Sequence, residues 1–337
     1  MSLIKLSRSA LFHNLSQIGD RCGIEKIGVV LKDNAYGHGL AQIAPLCADY
    51  GVRFAIVRNL AEAEKIAPLF DEVLVLSDRA QKAPPHISFA VNDIEPLAPE
   101  GSKVHIKVDT GMHRNGIALR DLEGAIERLS ANGVLIRAIF SHLRSADVLS
   151  SEFFWQEKNF SRARDIALKA ADRLRLEPFK FHLYNSAGLF RAKDGAKYDS
   201  VRVGIAAYGY CDLDAPFTLP ELKPVLSLWA DRVSRRRFEK GDRAGYAGAF
   251  RAEGDFNAGA YDVGYGDGFL RLNGGEGYET PDGEKLLGRV SMDSVIVRSD
   301  REQICLMDDA KKLADLRGTI SYEALVRLSG SIPRVVV

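Results

Sequence analysis

Short apolar runs, most of them rich in β-branched residues, recur eight times in the first two-thirds of the chain. A strand that is buried on both faces shows a continuous apolar run of this kind rather than a strict alternation of apolar and polar residues. We therefore predict eight strands, over residues 26–32, 52–57, 72–77, 87–92, 103–109, 135–143, 180–186 and 200–204.

Helical periodicity fills several of the intervals between these strands, at residues 59–70, 118–132 and 152–174. The connections after Ser77 and Asn92 are short and have room for a turn of helix at most. Strands that alternate with helices favour a parallel sheet, and eight such units in roughly 200 to 250 residues favour a closed (β/α)8 TIM barrel. An open doubly wound sheet is the alternative, but no G-x-G-x-x-G motif follows the first strand.

The pattern changes after about Gly209. Prolines cluster at residues 214–224, and short alternating runs separated by glycine-rich turns follow them, as in the segment 272–278. Such a pattern predicts a mainly antiparallel β domain, and the tail 320–337 predicts a short helix and a closing strand. We expect a barrel domain over 1–220 and a C-terminal β domain over 221–337.

Composition narrows the classes of function. Among 337 residues, 46 basic and 45 acidic side chains leave a net charge of +1, so electrostatics does not favour nucleic acid or a membrane surface as a partner. No apolar run reaches the roughly 18 to 20 residues that cross a bilayer, and charges come too early for a secretory leader. The four cysteines form no C-x-x-C pair, which predicts neither a zinc site nor a disulfide framework. We expect a cytoplasmic enzyme without a metal.

Charged and polar side chains stand where several predicted strands end, which is the face of a (β/α)8 barrel that carries the chemistry. They are Lys32, Lys107, Asp109, Arg114, His142, Asn185, Ser186 and Arg202, the last followed by Gly204 and Ile205. The loops after the seventh and eighth strands of this fold commonly bind a phosphate group through backbone N–H groups. A lysine across the barrel mouth from such a loop suggests a phosphate-bearing aldehyde held as an imine, and pyridoxal phosphate is the leading candidate.

Taken singly, these residues have simpler explanations. Lys32 could pair with Asp33, His142 could be a hydrogen-bonded core residue, Arg202 could form an ion pair at a strand end, and Ser186 could cap a helix. Their joint placement on one rim favours a site. Class I aldolases and isomerases of phosphate sugars use the same rim, so the residues alone indicate a barrel enzyme with a phosphate-bearing cofactor or substrate.

Eight motifs, in order and over nearly the whole chain, resemble the alanine racemase family. They lie at residues 32–39 (KDNAYGHG), 107–117, 141–147, 182–188, 202–209, 244–248 (AGYAG), 264–268 and 288–293. The resemblance implies an N-terminal barrel joined to a C-terminal β domain, and pyridoxal 5'-phosphate as cofactor. It also implies a head-to-tail homodimer with active sites shared between the subunits.

The resemblance assigns roles to single residues. Lys32 should bind the cofactor covalently and serve as acid and base on one face of the substrate, and Tyr246 of the second subunit should serve the opposite face. The phosphate of the cofactor should be bound by Tyr36, Ser186 and the backbone at Gly204 and Ile205. Arg202 should face the pyridine nitrogen. His142 should lie in a network that joins Tyr246 to Arg202.

The remaining matches concern the substrate. Arg114 should steer the substrate carboxylate, with help from the Met292 backbone N–H of the other chain. Lys107 matches a position that is carbamylated in several relatives. The substrate access corridor and its surroundings should include Asp147, His182, Tyr265, Arg271, Arg289 and Asp293.

Racemisation requires these two opposed groups, because a proton leaves one face of Cα and another returns on the opposite face. An arginine stays charged, so a ring nitrogen that faces Arg202 remains unprotonated and is a weak electron sink. That arrangement disfavours transamination. We therefore expect interconversion of L- and D-alanine, with D-alanine supplied to peptidoglycan.

The chain departs from the family pattern near its end. Gly330 stands where the family usually has a tyrosine that contacts the phosphate, and Tyr322 matches a different position. Asp33, His113 and Asn115 also occupy slots that usually hold other residues. A wider pocket at Gly330 leaves a broader racemase for serine or for larger or basic amino acids as one alternative, and a non-catalytic homologue that binds pyridoxal phosphate as another.

Overall fold

The computed structural model describes residues 1–272 and 277–337, so part of the glycine-rich segment 272–278 lies outside the described residues. Two compact units make up the chain. The barrel unit comprises Phe12–Ala35 and Ile43–Leu222, and the β unit comprises Met1–Leu11, Tyr36–Gln42 and Lys223–Val337. The junction at Leu222 lies two residues from the expected one, but two N-terminal segments cluster with the C-terminal part of the chain.

The elements are numbered along the chain. The strands of the first two-thirds are β1 (Leu3–Leu6), β2 (Ile27–Val30), β3 (Phe54–Val57), β4 (Glu72–Val75), β5 (Ile87–Val91), β6 (Lys103–Asp109), β7 (Ile117–Ala118), β8 (Leu135–Phe140), β9 (Lys180–His182) and β10 (Val201–Val203). The helices of the same part are α1 (Arg8–Cys22), α2 (Leu40–Tyr50), α3 (Leu60–Ile66), α4 (Leu122–Ala131), α5 (Glu152–Leu174) and α6 (Ser186–Arg191).

A parallel sheet forms the barrel unit. Its strand order is β10-β2-β3-β4-β5-β6-β8-β9, with β7 attached to β6, and a parallel bridge between His182 and Ser200 brings β9 beside the start of β10. All eight predicted strands are confirmed; β6 spans the predicted 103–109, and the other seven are shorter than their apolar runs. Side chains of β2 and β5 are buried throughout, as expected for strands that are covered on both faces.

Helices cover the barrel strands where the periodicity predicted them. α5 spans residues 152–174 as predicted, and α3 and α4 lie within the other two predicted intervals. The described residues 76–86 and 92–102 contain no helix, which agrees with the short connections that follow Ser77 and Asn92.

The remaining elements belong to the β unit. They are β11 (Leu226–Phe238), β12 (Arg243–Ala244), β13 (Phe250–Arg251), β14 (Phe256–Tyr261), β15 (Val295–Val297), β16 (Gln303–Met307), β17 (Arg334–Val336), α7 (Ala310–Arg317) and α8 (Ser321–Val326). Most pairings are antiparallel, with β11 joined to β1, β14 and β16, whereas β1 and β17 are parallel. The predicted antiparallel domain, with its closing helix and strand, is confirmed.

β1 was not predicted. Its four residues alternate between half-buried and buried positions, and they pair with residues 226–229 of β11. A four-residue run carries too little pattern to be recognised alone, and its partner lies more than 200 residues away in the sequence. Within the described residues, no helix is long and apolar enough to cross a membrane.

Candidate active site

The segment that follows β2 makes a left-handed turn. Lys32 comes directly before it, and Asp33, Asn34, Ala35 and Tyr36 have φ values of 54°, 56°, 53° and 53°. Each such L-residue costs about 1–2 kcal/mol, so neighbouring contacts must hold the turn in place. Strain of this kind is typical of functional sites.

Two side chains of the next strand–helix unit hold the turn. The Asn34 N–H donates to Glu62 Oε1 at 3.0 Å, and the Asp33 carboxylate pairs with Arg58 at 3.1 Å. The structure thus gives Asp33 an ion pair with Arg58. The departure at Asp33 from the family pattern has a structural role in the turn.

Positive charge accumulates at the carboxyl ends of the barrel strands. Lys107 on β6 is only 8% exposed, and burial followed by the charges of Arg114 and Arg202 lowers its pKa to about 8, against an opposing effect of Asp109. Lys32 lowers it further. The Lys107 amine also contacts the side-chain oxygen of Asn115. The structure thus brings together the predicted cations of β2, β6 and β10.

His142, in the loop after β8, lies in the same surroundings. Burial and then the charges of Arg202, Lys107 and Arg114 lower its pKa to about 3. The ring is therefore neutral near pH 7. His142 is a neutral partner in a cationic neighbourhood rather than an additional charge.

Arg202 on β10 is buried, and burial lowers its pKa to about 9. Its guanidinium donates to the backbone oxygens of Ser141 at 2.5 Å and His182 at 3.0 Å, and to the Nδ1 atom of His182 at 2.9 Å. These acceptors are neutral. The simpler reading of Arg202 as a strand-end ion pair is therefore not the arrangement found.

The resemblance groups His182 with the substrate access corridor and its surroundings. Its side chain is 1% exposed and lies inside the barrel against Arg202 and the His105 ring. The reason is its position as the last residue of β9, where the side chain turns toward the barrel interior. Asp147 is exposed in the loop after β8, where its backbone oxygen accepts from the Asp214 N–H.

A cradle for an anion lies after β9 and β10. Ser186 opens α6 as predicted, and its hydroxyl oxygen accepts from the N–H groups of Gly204 and Ala206 at 3.3 Å each. Asn185 caps the helix by accepting from the Gly188 N–H at 2.9 Å. The predicted backbone positions were Gly204 and Ile205; Ala206, the next residue of the same motif, also points its N–H at the Ser186 hydroxyl.

Tyr36 belongs to the β unit. Its ring lies 5.7 Å from the ring of Tyr322 on α8, centroid to centroid. A Cβ atom added at Gly330 would meet nothing within 4 Å. The β unit therefore supplies a second tyrosine beside Tyr36 from α8, and it leaves open space at the position where the family usually has one.

The other candidates of the β unit are exposed. Tyr246 is 63% exposed in a 3-10 turn, Met292 is 55% exposed, and Tyr265 is 38% exposed. The Gly266 N–H donates to the Met292 oxygen at 2.8 Å, and the Arg271 guanidinium lies 5.9 Å from the Tyr265 ring centroid, so these loops form one surface.

The Tyr246 loop adjoins the Arg289 loop. A Cβ atom added at Gly245 would lie 3.0 Å from the Arg289 backbone nitrogen. Asp293 follows Met292 and is exposed. Candidate residues on two loops of the β unit are therefore close in space.

The cations and the cradle suit an anionic ligand. Buried Lys107 and Arg202 lie among further cations, opposed at Lys107 by Asp109, and the N–H groups of Gly204 and Ala206 converge on the Ser186 hydroxyl. A phosphate group at the cradle and a carboxylate near Arg114 would supply the missing negative charge. In the part of the chain that the structure describes, no cluster of His, Cys, Asp or Glu side chains is arranged to hold a metal ion.

Comparison with known proteins gives one family. The profile described as "Alanine racemase, N-terminal domain" matches residues 6–212, and "Alanine racemase, C-terminal domain" matches 225–336. Among curated proteins, the alanine racemase of Nitratiruptor sp. is 45% identical and that of Campylobacter concisus 41% identical, each over 99% of both chains.

Solved structures of alanine racemases share the fold. One from Clostridium difficile 630 has a TM-score of 0.86 at 23% identity, covering 100% of this chain and 95% of its own. One from Bacillus anthracis with bound L-Ala-P has a TM-score of 0.83 at 25% identity, with the same coverage.

Proposed function

Because the chain belongs to the alanine racemase family, we propose that it interconverts L- and D-alanine with pyridoxal 5'-phosphate. The observation that carries the proposal is the convergence of Lys32 and Arg114 on the buried cations Lys107 and Arg202. When bound, the cofactor supplies an electron sink for the α-carbon of the amino acid. The enzyme is an isomerase, and in a bacterium its product D-alanine serves peptidoglycan synthesis in the cytoplasm.

The residues of this chain divide the remaining work. Ser186, the backbone at Gly204, Ile205 and Ala206, and Tyr36 hold the phosphate. Arg202 can only donate hydrogen bonds, so it leaves the cofactor ring nitrogen unprotonated. Arg114 orients the substrate carboxylate.

Lys32 and Tyr246 carry the protons. One takes the proton from Cα on its face while the other returns a proton on the opposite face, which inverts the configuration. Tyr246 is largely exposed in the single chain, as are Met292 and Tyr265 nearby. This exposure supports a homodimer in which the β unit of one chain supplies Tyr246 and Met292 to the barrel of the other.

Absorbance and turnover of the purified protein test the assignment. With added pyridoxal phosphate, the wild type should show the absorption band of a lysine-bound cofactor and convert L-alanine to D-alanine by chiral chromatography. Lys32→Ala should lose both, whereas Lys82→Ala, at an exposed lysine, should keep both. A band that survives in Lys32→Ala would rule out the covalent assignment.

Isotope exchange tests the two-base arrangement. Tyr246→Phe should abolish the exchange of the Cα hydrogen with solvent from one enantiomer far more than from the other, because each group serves a single face. Equal exchange from both enantiomers in Tyr246→Phe would contradict the assignment of Tyr246.

The open space at Gly330 favours a second candidate, a racemase of broader specificity. Turnover on alanine, serine, lysine and arginine separates the two. Alanine specificity predicts that alanine exceeds the other amino acids in kcat/KM by at least about 10- to 200-fold, which is the discrimination that a methylene-sized difference provides. Comparable values across the panel would favour the broader enzyme.

A further inference from the structure

A chain of hydrogen bonds runs through the barrel from Arg202 to Glu72. Arg202 donates to His182 Nδ1 at 2.9 Å, the Nε2 atom of His182 lies 3.0 Å from His105 Nδ1, and His105 Nε2 lies 2.9 Å from Glu72 Oε1. Both histidines are no more than 2% exposed. We call these four residues the barrel relay.

The relay reaches from one end of the barrel to the other. Arg202 lies on β10 near the carboxyl ends of the strands, whereas Glu72 is the first residue of β4. Ser88 of β5 also donates to Glu72 Oε1, at 2.6 Å. A cavity of about 170 Å³ adjoins this end and is lined by Glu72, His105 and His182, among others, and the Glu72 side chain is 23% exposed. The Glu72 end of the relay is therefore accessible to solvent.

The two ends of the relay fix the position of every proton in it. A guanidinium only donates, so His182 Nδ1 must be an acceptor and His182 carries its proton on Nε2. That proton is donated to His105 Nδ1, so His105 also carries its proton on Nε2. His105 then donates to the Glu72 carboxylate, which only accepts. All the hydrogen bonds point away from Arg202 toward Glu72.

A charged histidine would break this order. If His105 were doubly protonated, its Nδ1–H would require His182 Nε2 as acceptor, and His182 would then present an N–H to Arg202. Two donors would face each other at 2.9 Å. Burial, followed by the charge of Arg202, lowers the pKa of His182 well below its usual value, which agrees with a neutral ring.

Glu72 is held as a carboxylate. Burial alone would raise its pKa, but the hydrogen bonds from His105 and Ser88 and the charge of Lys180 act in the opposite direction and lower it. The Glu72 carboxylate, at the start of β4, therefore stays negatively charged throughout the neutral pH range. The acceptors that touch Arg202 directly are a neutral imidazole and backbone oxygens, so Glu72 is the anion at the other end of its relay.

We propose that Glu72 is a positioning residue for Arg202, acting through the fixed tautomers of His105 and His182. The carboxylate holds the His105 ring in one orientation, which presents Nδ1 to His182, and His182 in turn presents Nδ1 to the guanidinium. The effect on catalysis rests on the proposed function, in which Arg202 contacts the cofactor ring. The tautomer order of His105 and His182 does not depend on the proposed function.

Nitrogen-15 NMR of histidine-labelled protein tests the order directly. His105→Gln and His182→Gln variants assign the two rings. In the wild type at neutral pH, both rings should show an unprotonated Nδ1 and a protonated Nε2. A protonated Nδ1 on either ring would overturn the proposal.

Variants of Glu72 separate the hydrogen bond from the charge. Glu72→Gln keeps an acceptor for His105 and should keep the tautomer order. Glu72→Ala removes the acceptor, so the His105 signals should average between tautomers and the His182 Nδ1 signal should move toward that of an unbonded nitrogen. Asp71→Asn, at the neighbouring carboxylate of the same cavity, is the control and should leave both rings unchanged. Unchanged rings in Glu72→Ala would refute the role of Glu72.

Kinetics supply the second readout. Carboxylates that orient a metal-bound histidine typically contribute 10- to 100-fold, so we expect kcat to fall about tenfold in Glu72→Ala, with KM for alanine changed less than about twofold and partial recovery in Glu72→Gln. A kcat equal to that of the wild type, or a loss confined to KM, would contradict the proposal. If the wild type bound no pyridoxal phosphate, the proposed function would fail while the NMR result still decided the tautomer order.

Discussion

Lys107 is an ammonium group among other cations. Burial and the charges of Arg114 and Arg202 lower its pKa to about 8, so an appreciable fraction of the amine is neutral slightly above neutral pH. Carbon dioxide reacts with the neutral amine and converts it to a carbamate anion. An anion at this place would be attracted by the same cations that destabilise the ammonium form.

We therefore predict that Lys107 is carbamylated. Protein equilibrated with ¹³C-bicarbonate should give one carbamate signal in its ¹³C NMR spectrum. The signal should form readily above about pH 8 and decline at lower pH, because protonation removes the neutral amine. Lys107→Met should lose the signal and Lys103→Met, on the same strand, should keep it. A spectrum of the wild type without a carbamate signal would exclude the modification.

Side-chain alternation explains which residues of the site could be predicted. Lys107 and Asp109 were recognised because they close an apolar strand before a motif. His105 precedes Lys107 by two positions and shares its face of β6, so the same alternation could have identified it. Glu72 gave no such signal, since it begins its strand as an ordinary surface residue would.

At the scale of elements, the segment 36–42 depends on a glycine. Gly37 has a φ of 79°, and a Cβ atom there would lie 2.1 Å from the Leu325 backbone oxygen on α8. The Arg334 guanidinium also donates to the Gly37 oxygen, at 2.9 and 3.0 Å. Gly37, the residue that follows Tyr36, is therefore held against the C-terminal segment of the same unit by its contacts with Leu325 and Arg334.

Gly37→Ala should destabilise the β unit. A left-handed alanine costs about 1–2 kcal/mol, and the clash with Leu325 adds about 1–3 kcal/mol. Gly318→Ala is the matched control, because Gly318 has a φ of 62° and a Cβ atom there would meet nothing within 4 Å. Thermal melting should show the larger loss for Gly37→Ala. Equal melting temperatures for the two variants would argue against the close approach.

At the scale of the whole molecule, the proposed function requires the Tyr246 loop of one chain to lie at the barrel of another chain. Tyr246, Tyr265 and Met292 are large side chains that remain exposed in the single chain. The charge of +1 and the mixed surface give no reason to expect another class of macromolecule there. Under the proposed function, a second copy of the chain would cover these residues and complete the shared site.

Mixing two inactive variants tests this arrangement. Lys32→Ala and Tyr246→Phe each damage every site of their own homodimer. After unfolding and joint refolding, half of the dimers should be mixed, and each should contain one site with both Lys32 and Tyr246, so about a quarter of wild-type activity should return. Each variant refolded alone is the control. Mixtures that stay as inactive as the controls would show that the site is not shared.

By itself, the sequence determined the eight barrel strands, the long helix α5 and the antiparallel character of the C-terminal part. Each of these depends on a local apolar pattern that barrel or sheet burial imposes on neighbouring residues. The motifs also located the cationic rim, because parallel strands carry their chemistry at one shared end.

The tertiary structure alone decided where distant residues meet. β1 joins the sheet of the β unit through a partner far along the chain, and His182 points into the barrel toward Arg202 and His105. Neither follows from local pattern, because strand register and barrel closure set which side chains come within hydrogen-bonding distance. The barrel relay that ends at Glu72 exists only once four strands have closed around it.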